Sequence, residues 1–437
     1  MNRDFFNFFQ NNVFYKLFRF KPRFRHWYAL GYTSRFLYVG IISGICSLIW
    51  LVIHRFMQGK DEKYKKMYQI DYIEKKALCE RRKKGLPPGL INDGNSCFSN
   101  CILQALSSMP QVEVWMQNKL EENLGDNCYT ILSSVFSLIK VLSNNCGNED
   151  CYSTEDILCS LNSYGWVISG DQQDAYEFYQ ILIATIEEEV LKLVRIDDLF
   201  IKKAHLNAYP LILNRACKSL PSQKGNNHPF KGSFAIRMTC FACMSQNPVK
   251  FETFDSISLS LQNIKPYSAS LEACFNEWFK PEFLHNVDCQ VCSEKNKKNT
   301  KTIFSKQISF AKLPECLCIQ LQRSSYNSSG YLQKCDMFIN FPEVLDLFQY
   351  TYIASKTSKN ATNTICLPPA PRNQSTIYKL SSLVTHYGDT NQGHFATFRR
   401  LSDKRWVYIS DQSVIVKSVS DVFSSDAYML FYEKVSK

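Results

Sequence analysis

Residues 89–106 read GLINDGNSCFSNCILQAL, a Gly- and Asn-rich turn followed at once by a helix-like run. Phe98, Ile102 and Leu106 recur at every fourth position, so the spacing predicts a helix that begins at or just before Cys97. Such a helix aims the positive end of its dipole at the Cys97 sulfur. A thiol attacks as its thiolate, which a helix N-terminus and a neighbouring imidazole both favour. Asn92, upstream on the turn, can offer a side-chain amide to a developing oxyanion alongside the Cys97 backbone N–H. A cysteine taken alone is more often a buried thiol. The reading of Cys97 as a nucleophile therefore depends on partners elsewhere in the chain.

Two stretches supply candidates. In THYGDTNQGHFATFRR (385–400), His394 follows a glycine and opens a strand, where a general base can be held rigidly. His386 on the adjacent strand competes with it, and spacing alone does not choose between them. Of the other histidines, His26 and His54 belong to the N-terminal region, while His205, His228 and His285 sit in loop-like or polar surroundings. The strand RWVYISD ends at Ser410 and Asp411, a length that returns its end to the side of His394. Either side chain can accept a hydrogen bond from an imidazole and fix its tautomer.

Working outward, the 437-residue chain is 45% hydrophobic and 14% aromatic, enough for a substantial core and unlike a disordered protein. Its first part reads helical in SCFSNCILQAL, NCYTILSSVFSLIKVLS, YSTEDILCSL and DQQDAYEFYQILIATIEEEVLKL. The second part reads as strands in FETFDSISLSL, ECLCIQLQR, YKLSSLVTHYG, HFATFRR, RWVYISD and AYMLFYEK. Helices first and antiparallel strands later predict an α+β architecture with a cleft between the halves. SLPSQKGNNHPFKG and SKTSKNATNTICLPPAPRNQST read as surface loops.

The net charge of +11 is unevenly placed: residues 1–84 hold 18 Lys and Arg against 6 Asp and Glu, and residues 85–437 hold 33 against 34. The globular part is thus near neutrality, and no nucleic-acid partner is expected. Within the basic segment, Phe36–Ile53 is 18 residues without a charge, and a helix of that length just spans a hydrocarbon core of about 30 Å. The expected organisation is a basic segment (1–35), a single transmembrane anchor in the lipid bilayer (36–54), a basic linker (55–84) and a catalytic domain (85–437). Lys and Arg flank the span on both sides, so charge does not orient it. Eighteen cysteines, several on apolar strands such as ECLCIQL, suit a reducing compartment, which places the large domain in the cytosol. A short anchor wrapped in basic residues suits the mitochondrial outer membrane. An endoplasmic reticulum or peroxisomal anchor would look much the same.

CFAC (Cys240, Cys243) and CQVC (Cys289, Cys292) form two CxxC pairs separated by 45 residues. Four thiolates at this spacing suit one tetrahedral structural Zn2+, with no open position for catalysis. A redox role lacks the βαβ context such a motif uses.

Taken together, GLINDGNSCFSNCILQAL resembles the cysteine box of the ubiquitin-specific proteases, GDQQDAYEFYQIL their glutamine-aspartate box, and THYGDTNQGHFATFRR with WVYISD and AYMLFYEK their histidine box. The resemblance covers about Gly85 to Lys437 in family order. It implies a papain-like cysteine protease fold of fingers, palm and thumb, with zinc-binding fingers over about 230–325, that hydrolyses the isopeptide bond after the C-terminal glycine of ubiquitin. It implies Cys97 as nucleophile, His394 rather than His386 as base, Asn92 as oxyanion donor and Asp174 as a contact for the ubiquitin tail. The third catalytic position usually holds Asp or Asn in the family; here it is Ser410, with Asp411 as the alternative. A serine there, behind an anchor and basic linker, resembles the family's mitochondrial outer-membrane members, which implies removal of ubiquitin from membrane-associated proteins and opposition to ubiquitin-marked mitochondrial clearance. The contrasting expectation is a weak, ubiquitin-binding pseudoenzyme, because a hydroxyl orients an imidazole less strongly than a carboxylate does.

Overall fold

The computed structural model describes residues 85–122, 130–144, 151–166, 173–205, 228–326, 330–357, 375–389 and 392–435, with the side chains of 144, 192–205, 326, 356 and 357 excepted. The anchor expected at 36–54 and its flanking segments lie outside the described residues, and none of the helices among the described residues is long and apolar enough to cross a membrane.

The N-terminal half is helical. A short strand β1 (Gly89–Leu90) pairs in parallel with β2 (Cys151–Tyr152), and between them run α1 (Cys97–Leu106), α2 (Pro110–Glu122) and α3 (Ile131–Asn144). After β2 come α4 (Glu155–Ser163) and the long α5 (Ala175–His205). In α3, Ile131, Leu132, Val135, Ile139 and Leu142 are all fully buried, the one-sided stripe its sequence predicts. Each such side chain contributes about 1.5–3 kcal/mol when taken out of water. The N-terminus of α3 is capped from a distance. The Glu189 carboxylate reaches across from α5 and accepts from the backbone N–H groups of Thr130 (2.7 Å), Ile131 (3.3 Å) and Leu132 (2.9 Å) and from the Tyr164 hydroxyl (2.6 Å). Burial, with Glu189 beside it, pushes the Tyr164 phenol up to about 12. Helix α2 was not expected; its buried Val112, Met116 and Lys119 form only a thin stripe.

Strands dominate the rest. A four-stranded sheet in the order β4 (Lys250–Phe254), β3 (Gly232–Cys240), β7 (Lys301–Lys312), β6 (Glu282–Asp288) carries α7 (Gln290–Asn296) at its end. The main sheet has eight strands: β15 (Ser413–Lys417), β14 (Trp406–Ser410), β13 (Gly393–Arg400), β12 (Ile377–Gly388), β16 (Ala427–Lys434), β8 (Cys316–Gln322) and β5 (Ile257–Ser260) in line, with β11 (Val344–Asp346) also on β12. A hairpin of β9 (Ser324–Tyr326) and β10 (Leu332–Lys334), and the short helices α6 (Leu271–Trp278), α8 (Tyr352–Thr357) and α9 (Val419–Phe423), complete the described fold. All named pairs in the main sheet are antiparallel except β5 with β8. Within 230–325, therefore, β3, β4, β6 and β7 build the smaller sheet, while β5 and β8 belong to the main one.

The main sheet separates two cores. In β8, Cys316 and Cys318 face the helical layer of α1, α3 and α5, while Leu317, Ile319 and Leu321 face the second core with α6. The alternation explains why cysteines stand in so apolar a strand: they are small buried side chains. The described cysteines are all free thiols.

Two expectations are corrected. FETFDSISLSL does not form one strand; it breaks at Asp255–Ser256 into β4 and β5, which lie in different sheets. The Tyr179 hydroxyl bonds to the Asp255 carbonyl (3.0 Å) and Tyr176 to Ser256 (3.0 Å), pinning the break to α5. The end of SLPSQKGNNHPFKG is not a polar surface loop, because His228 and Phe230 are buried, with His228 edge-on to Trp115.

Candidate active site

Helix α1 begins at Cys97, at the floor of the turn 91–96. The turn is closed by Asn92, whose Oδ1 accepts from the Ser96 backbone N–H (3.1 Å) and hydroxyl (3.3 Å). Cys97 itself is buried. Burial pushes its thiol up, aided by the negative charge of Asp411, and the backbone N–H groups of Phe395, Phe98 and Cys97 oppose the rise by donating towards the sulfur.

Strands β12 and β13 pair with His386 opposite Phe395 and Tyr387 opposite His394. Gly393 is obligatory in this hairpin: a Cβ there would stand 2.1 Å from His386 Nε2. The Lys334 ammonium clips the hairpin from β10 by donating to the carbonyls of His386 (3.1 Å) and Gly388 (2.5 Å). His386 lies against Phe395 (4.5 Å between ring centroids), and burial, with the Lys334 charge, holds its ring below the usual imidazole range.

His394 Nε2 lies 2.7 Å from Ser410 Oγ, and 3.8 Å from Asp411 Oδ2. The two candidates for the third position are thus separated by geometry: the hydroxyl is within hydrogen-bond reach and the carboxylate is not. Asp411 is occupied elsewhere. It stands at the tip of the β14–β15 hairpin with a left-handed φ of 49°, accepting from Asn92 Nδ2 at Oδ2 (2.7 Å) and from Asn100 Nδ2 at Oδ1 (2.8 Å). Its backbone carbonyl accepts from the Leu90 N–H (2.9 Å). Gly89 permits that approach, because a Cβ there would lie 2.6 Å from the Gln412 Cα. The hairpin tip therefore locks the start of the cysteine segment onto the end of the histidine segment.

Asp174 caps α5, with Oδ1 accepting from the N–H groups of Tyr176 (2.7 Å) and Glu177 (3.1 Å). Its Oδ2 accepts from the Tyr428 hydroxyl (2.5 Å), which in turn accepts from Gln320 (2.9 Å). A cleft of about 290 Å³ joins Cys97, Asp174, Glu177, Arg323, Lys334, His386 and Tyr428. A larger cavity, about 630 Å³, opens at the opposite end of α1 beside Ser107 and Arg399 and holds none of the expected catalytic residues. Sequence reasoning missed Asn100, Lys334 and Tyr428; of these only Asn100 carried a signal, as a polar residue on the inward face of α1.

At the end of the smaller sheet, the sulfurs of Cys240, Cys243, Cys289 and Cys292 all lie within 4.8 Å of one another and could hold a metal ion. Burial alone would raise Cys240, but the Thr302 hydroxyl and the N–H groups of Cys243 and Ala242 outweigh it and hold this thiol down to about 6. Proton sharing with Cys243 pushes Cys292 up to about 12.

A buried thiol at a helix N-terminus, beside a strand whose histidine is oriented by a hydroxyl, belongs to a class that sequence comparison identifies. Residues 88–432 match the family Ubiquitin carboxyl-terminal hydrolase, and the chain belongs to it: it is a ubiquitin-specific cysteine protease, a deubiquitinase. Within that family it is similar to Ubiquitin carboxyl-terminal hydrolase 30 of Xenopus tropicalis, 30% identical over 434 residues that cover 82% of this chain and 83% of that protein. The Homo sapiens protein of the same name is 29% identical over 443 residues, covering 82% and 86%. Among solved structures, the SAGA Ubp8/Sgf11/Sus1/Sgf73 DUB module bound to ubiquitin aldehyde contains a chain of the same fold, with a TM-score of 0.57 and 25% identity over 80% of this chain and 70% of that one.

Proposed function

We propose that the protein removes ubiquitin from membrane-associated proteins by nucleophilic attack of Cys97 on the carbonyl carbon of ubiquitin's C-terminal glycine, which breaks the isopeptide bond that follows it. The observation that carries this reading is the 2.7 Å contact between His394 Nε2 and Ser410 Oγ beside the N-terminus of the Cys97 helix. With Nε2 committed to Ser410, Nδ1 is the nitrogen left to take the thiol proton. The thiolate then attacks, the imidazolium returns that proton to the departing lysine amine, and a thioester forms. Water, deprotonated by His394, hydrolyses the thioester and frees the ubiquitin carboxylate. The Asn92 amide has two hydrogens; one goes to Asp411, and the other serves the oxyanion with the Cys97 N–H. Asp174, which caps α5 and lines the cleft, contacts the ubiquitin tail.

The four-cysteine cluster fits Zn2+. Zinc–thiolate bonds of about 2.3 Å in a tetrahedron set sulfurs about 3.8 Å apart, and the Cys240–Cys292 and Cys243–Cys289 separations are 3.9 and 3.7 Å. A bound zinc would cross-link the end of the smaller sheet, which serves as ubiquitin-gripping fingers. We place the anchor at 36–54 in the mitochondrial outer membrane with the catalytic domain in the cytosol, supported by the uncharged span and the similarity to hydrolase 30 relatives.

The test is labelling of the full chain by ubiquitin carrying a C-terminal thiol-reactive group. Cys97 should be modified in wild type and Cys97→Ala should resist while still binding ubiquitin; adduct formation at Cys101 instead would overturn the assignment. Deleting residues 1–54 should move the protein to the soluble fraction with labelling intact, and retention on membranes after a high-salt wash would refute the anchor.

A further inference from the structure

Arg399 lies on β13, the strand that begins beside His394, and its side chain is only 2% exposed. Burying a guanidinium calls for a compensating negative charge, yet among the described residues no carboxylate pairs with it. Its partners belong to two helix ends. Nη1 donates to Gln104 Oε1 (2.9 Å) and Ser107 Oγ (2.6 Å), while Nη2 donates to the carbonyls of Ser107 (3.2 Å) and Leu142 (3.3 Å). Ser107 is the C-cap of α1 and Leu142 lies in the last turn of α3. Each helix C-terminus carries roughly half a negative charge, so two of them together stand in for the missing anion. Burial pulls the guanidinium down to about 9, which leaves it charged at neutral pH.

The same strand makes a second attachment. Thr397 Oγ1 donates to the Cys101 carbonyl (2.8 Å), and Ser382 of β12 donates to that of Ala105 (3.2 Å). The helix carrying Cys97 is thereby hooked midway and at its far end to the sheet that carries His394. A ten-residue helix is about 15 Å long, so Arg399 fixes axial position at one end while the reacting sulfur stands at the other.

We infer that Arg399 is a positioning residue for the reaction, setting the register of the nucleophile helix against the base strand and supplying a buried positive charge along that helix's axis. The inference rests on Cys97 as nucleophile. It goes beyond the catalytic assignment by giving a function to a residue outside the cleft.

The experiment uses the full chain, with wild type, Arg399→Met and Arg399→Lys. It reads kcat and KM on a ubiquitin C-terminal fluorescent reporter, and the pH dependence of labelling by the thiol-reactive ubiquitin. A misplacement on the scale of one helical rise should lower kcat of Arg399→Met by about ten- to a hundredfold, with KM within about twofold of wild type. Loss of the cation removes an attraction on the thiolate, so the acid limb of the labelling profile should move up by about half a pH unit or more. Arg399→Lys keeps the cation but not the fork that joins two helices; it should restore the pH profile and only part of kcat. Wild-type kcat in Arg399→Met, a rise in KM that accounts for the whole loss, or an unmoved acid limb would each overturn the inference. If Arg399→Met does not fold, Arg399→Lys decides: reduced kcat at unchanged KM supports the inference, and wild-type kcat refutes it. Wild-type protein labelled at a residue other than Cys97 would instead overturn the catalytic assignment on which the inference rests.

Discussion

Replacing Ser410 by alanine removes one oxygen and tests the point at which this chain departs from the usual family pattern. In the structure that oxygen lies 2.7 Å from His394 Nε2, and among the described residues no other side chain lies within hydrogen-bond reach of the nitrogen. During the reaction the ring is an imidazolium, so the lost contact is a charge-assisted hydrogen bond of about 1.5–3 kcal/mol. At 1.36 kcal/mol per factor of ten, kcat should fall by about ten- to a hundredfold, less than loss of the nucleophile would cause. The assay is steady-state hydrolysis of a ubiquitin C-terminal reporter, with thermal unfolding measured in parallel. Ser410→Asp, which places the commoner family residue there, should retain activity if its carboxylate reaches the same nitrogen. Asp411→Ala should act differently: it releases the amides of Asn92 and Asn100, so the turn before Cys97 loosens and stability falls together with activity. Full activity in Ser410→Ala beside near-complete loss in a stable Asp411→Ala would refute the reasoning and move the third role to Asp411.

Other parts of the molecule give further expectations. Glu189→Gln, which turns one of the oxygens capping α3 into a donor, should cost about 2–3 kcal/mol of stability in urea unfolding; an unchanged midpoint would mean the cap contributes nothing. Cys289→Ser should lower both metal content, expected at about one zinc per chain by elemental analysis, and thermal stability, because metal-binding energy is partly folding energy; equal zinc and equal stability would contradict the four-cysteine site. His228 is buried, with no hydrogen-bond partner for either ring nitrogen among the described residues, and burial and the Lys231 charge lower it from 6.5 to about 4. Glu187, 3.8 Å away, is already engaged by Lys231. A depressed imidazole favours the neutral folded form, so this contribution is complete above about pH 6.5 and lost as pH falls to about 4. His228→Phe should therefore flatten the pH dependence of stability in that window, and an unaltered slope would show that other groups carry it.

Local pattern made much of the fold legible. The four-residue spacing of Phe98, Ile102 and Leu106 located α1, the alternation in ECLCIQL located β8, and the paired CxxC motifs located a four-cysteine cluster that could hold a metal ion. These signals survive in one dimension because helical period, strand period and ligand spacing are properties of neighbouring residues. The break in FETFDSISLSL was not legible: the segment has strand chemistry throughout, and only the hydroxyls of Tyr176 and Tyr179, some eighty residues away, divide it between two sheets. The same limit applied at the candidate site. Local context offered Cys97, the two histidines His386 and His394, and the pair Ser410 and Asp411 as candidates, and the family resemblance selected His394; adjacent residues on a strand end differ by orientation and not by sequence signal. Tertiary packing turns the hydroxyl toward His394 and leaves the carboxylate between two asparagine amides, one of them Asn100 from 311 residues earlier in the chain. Arg399 shows the limit most sharply, since a charged residue in a strand reads as a surface position, and only the meeting of two helix C-termini over that strand supplies the negative charge that keeps it inside.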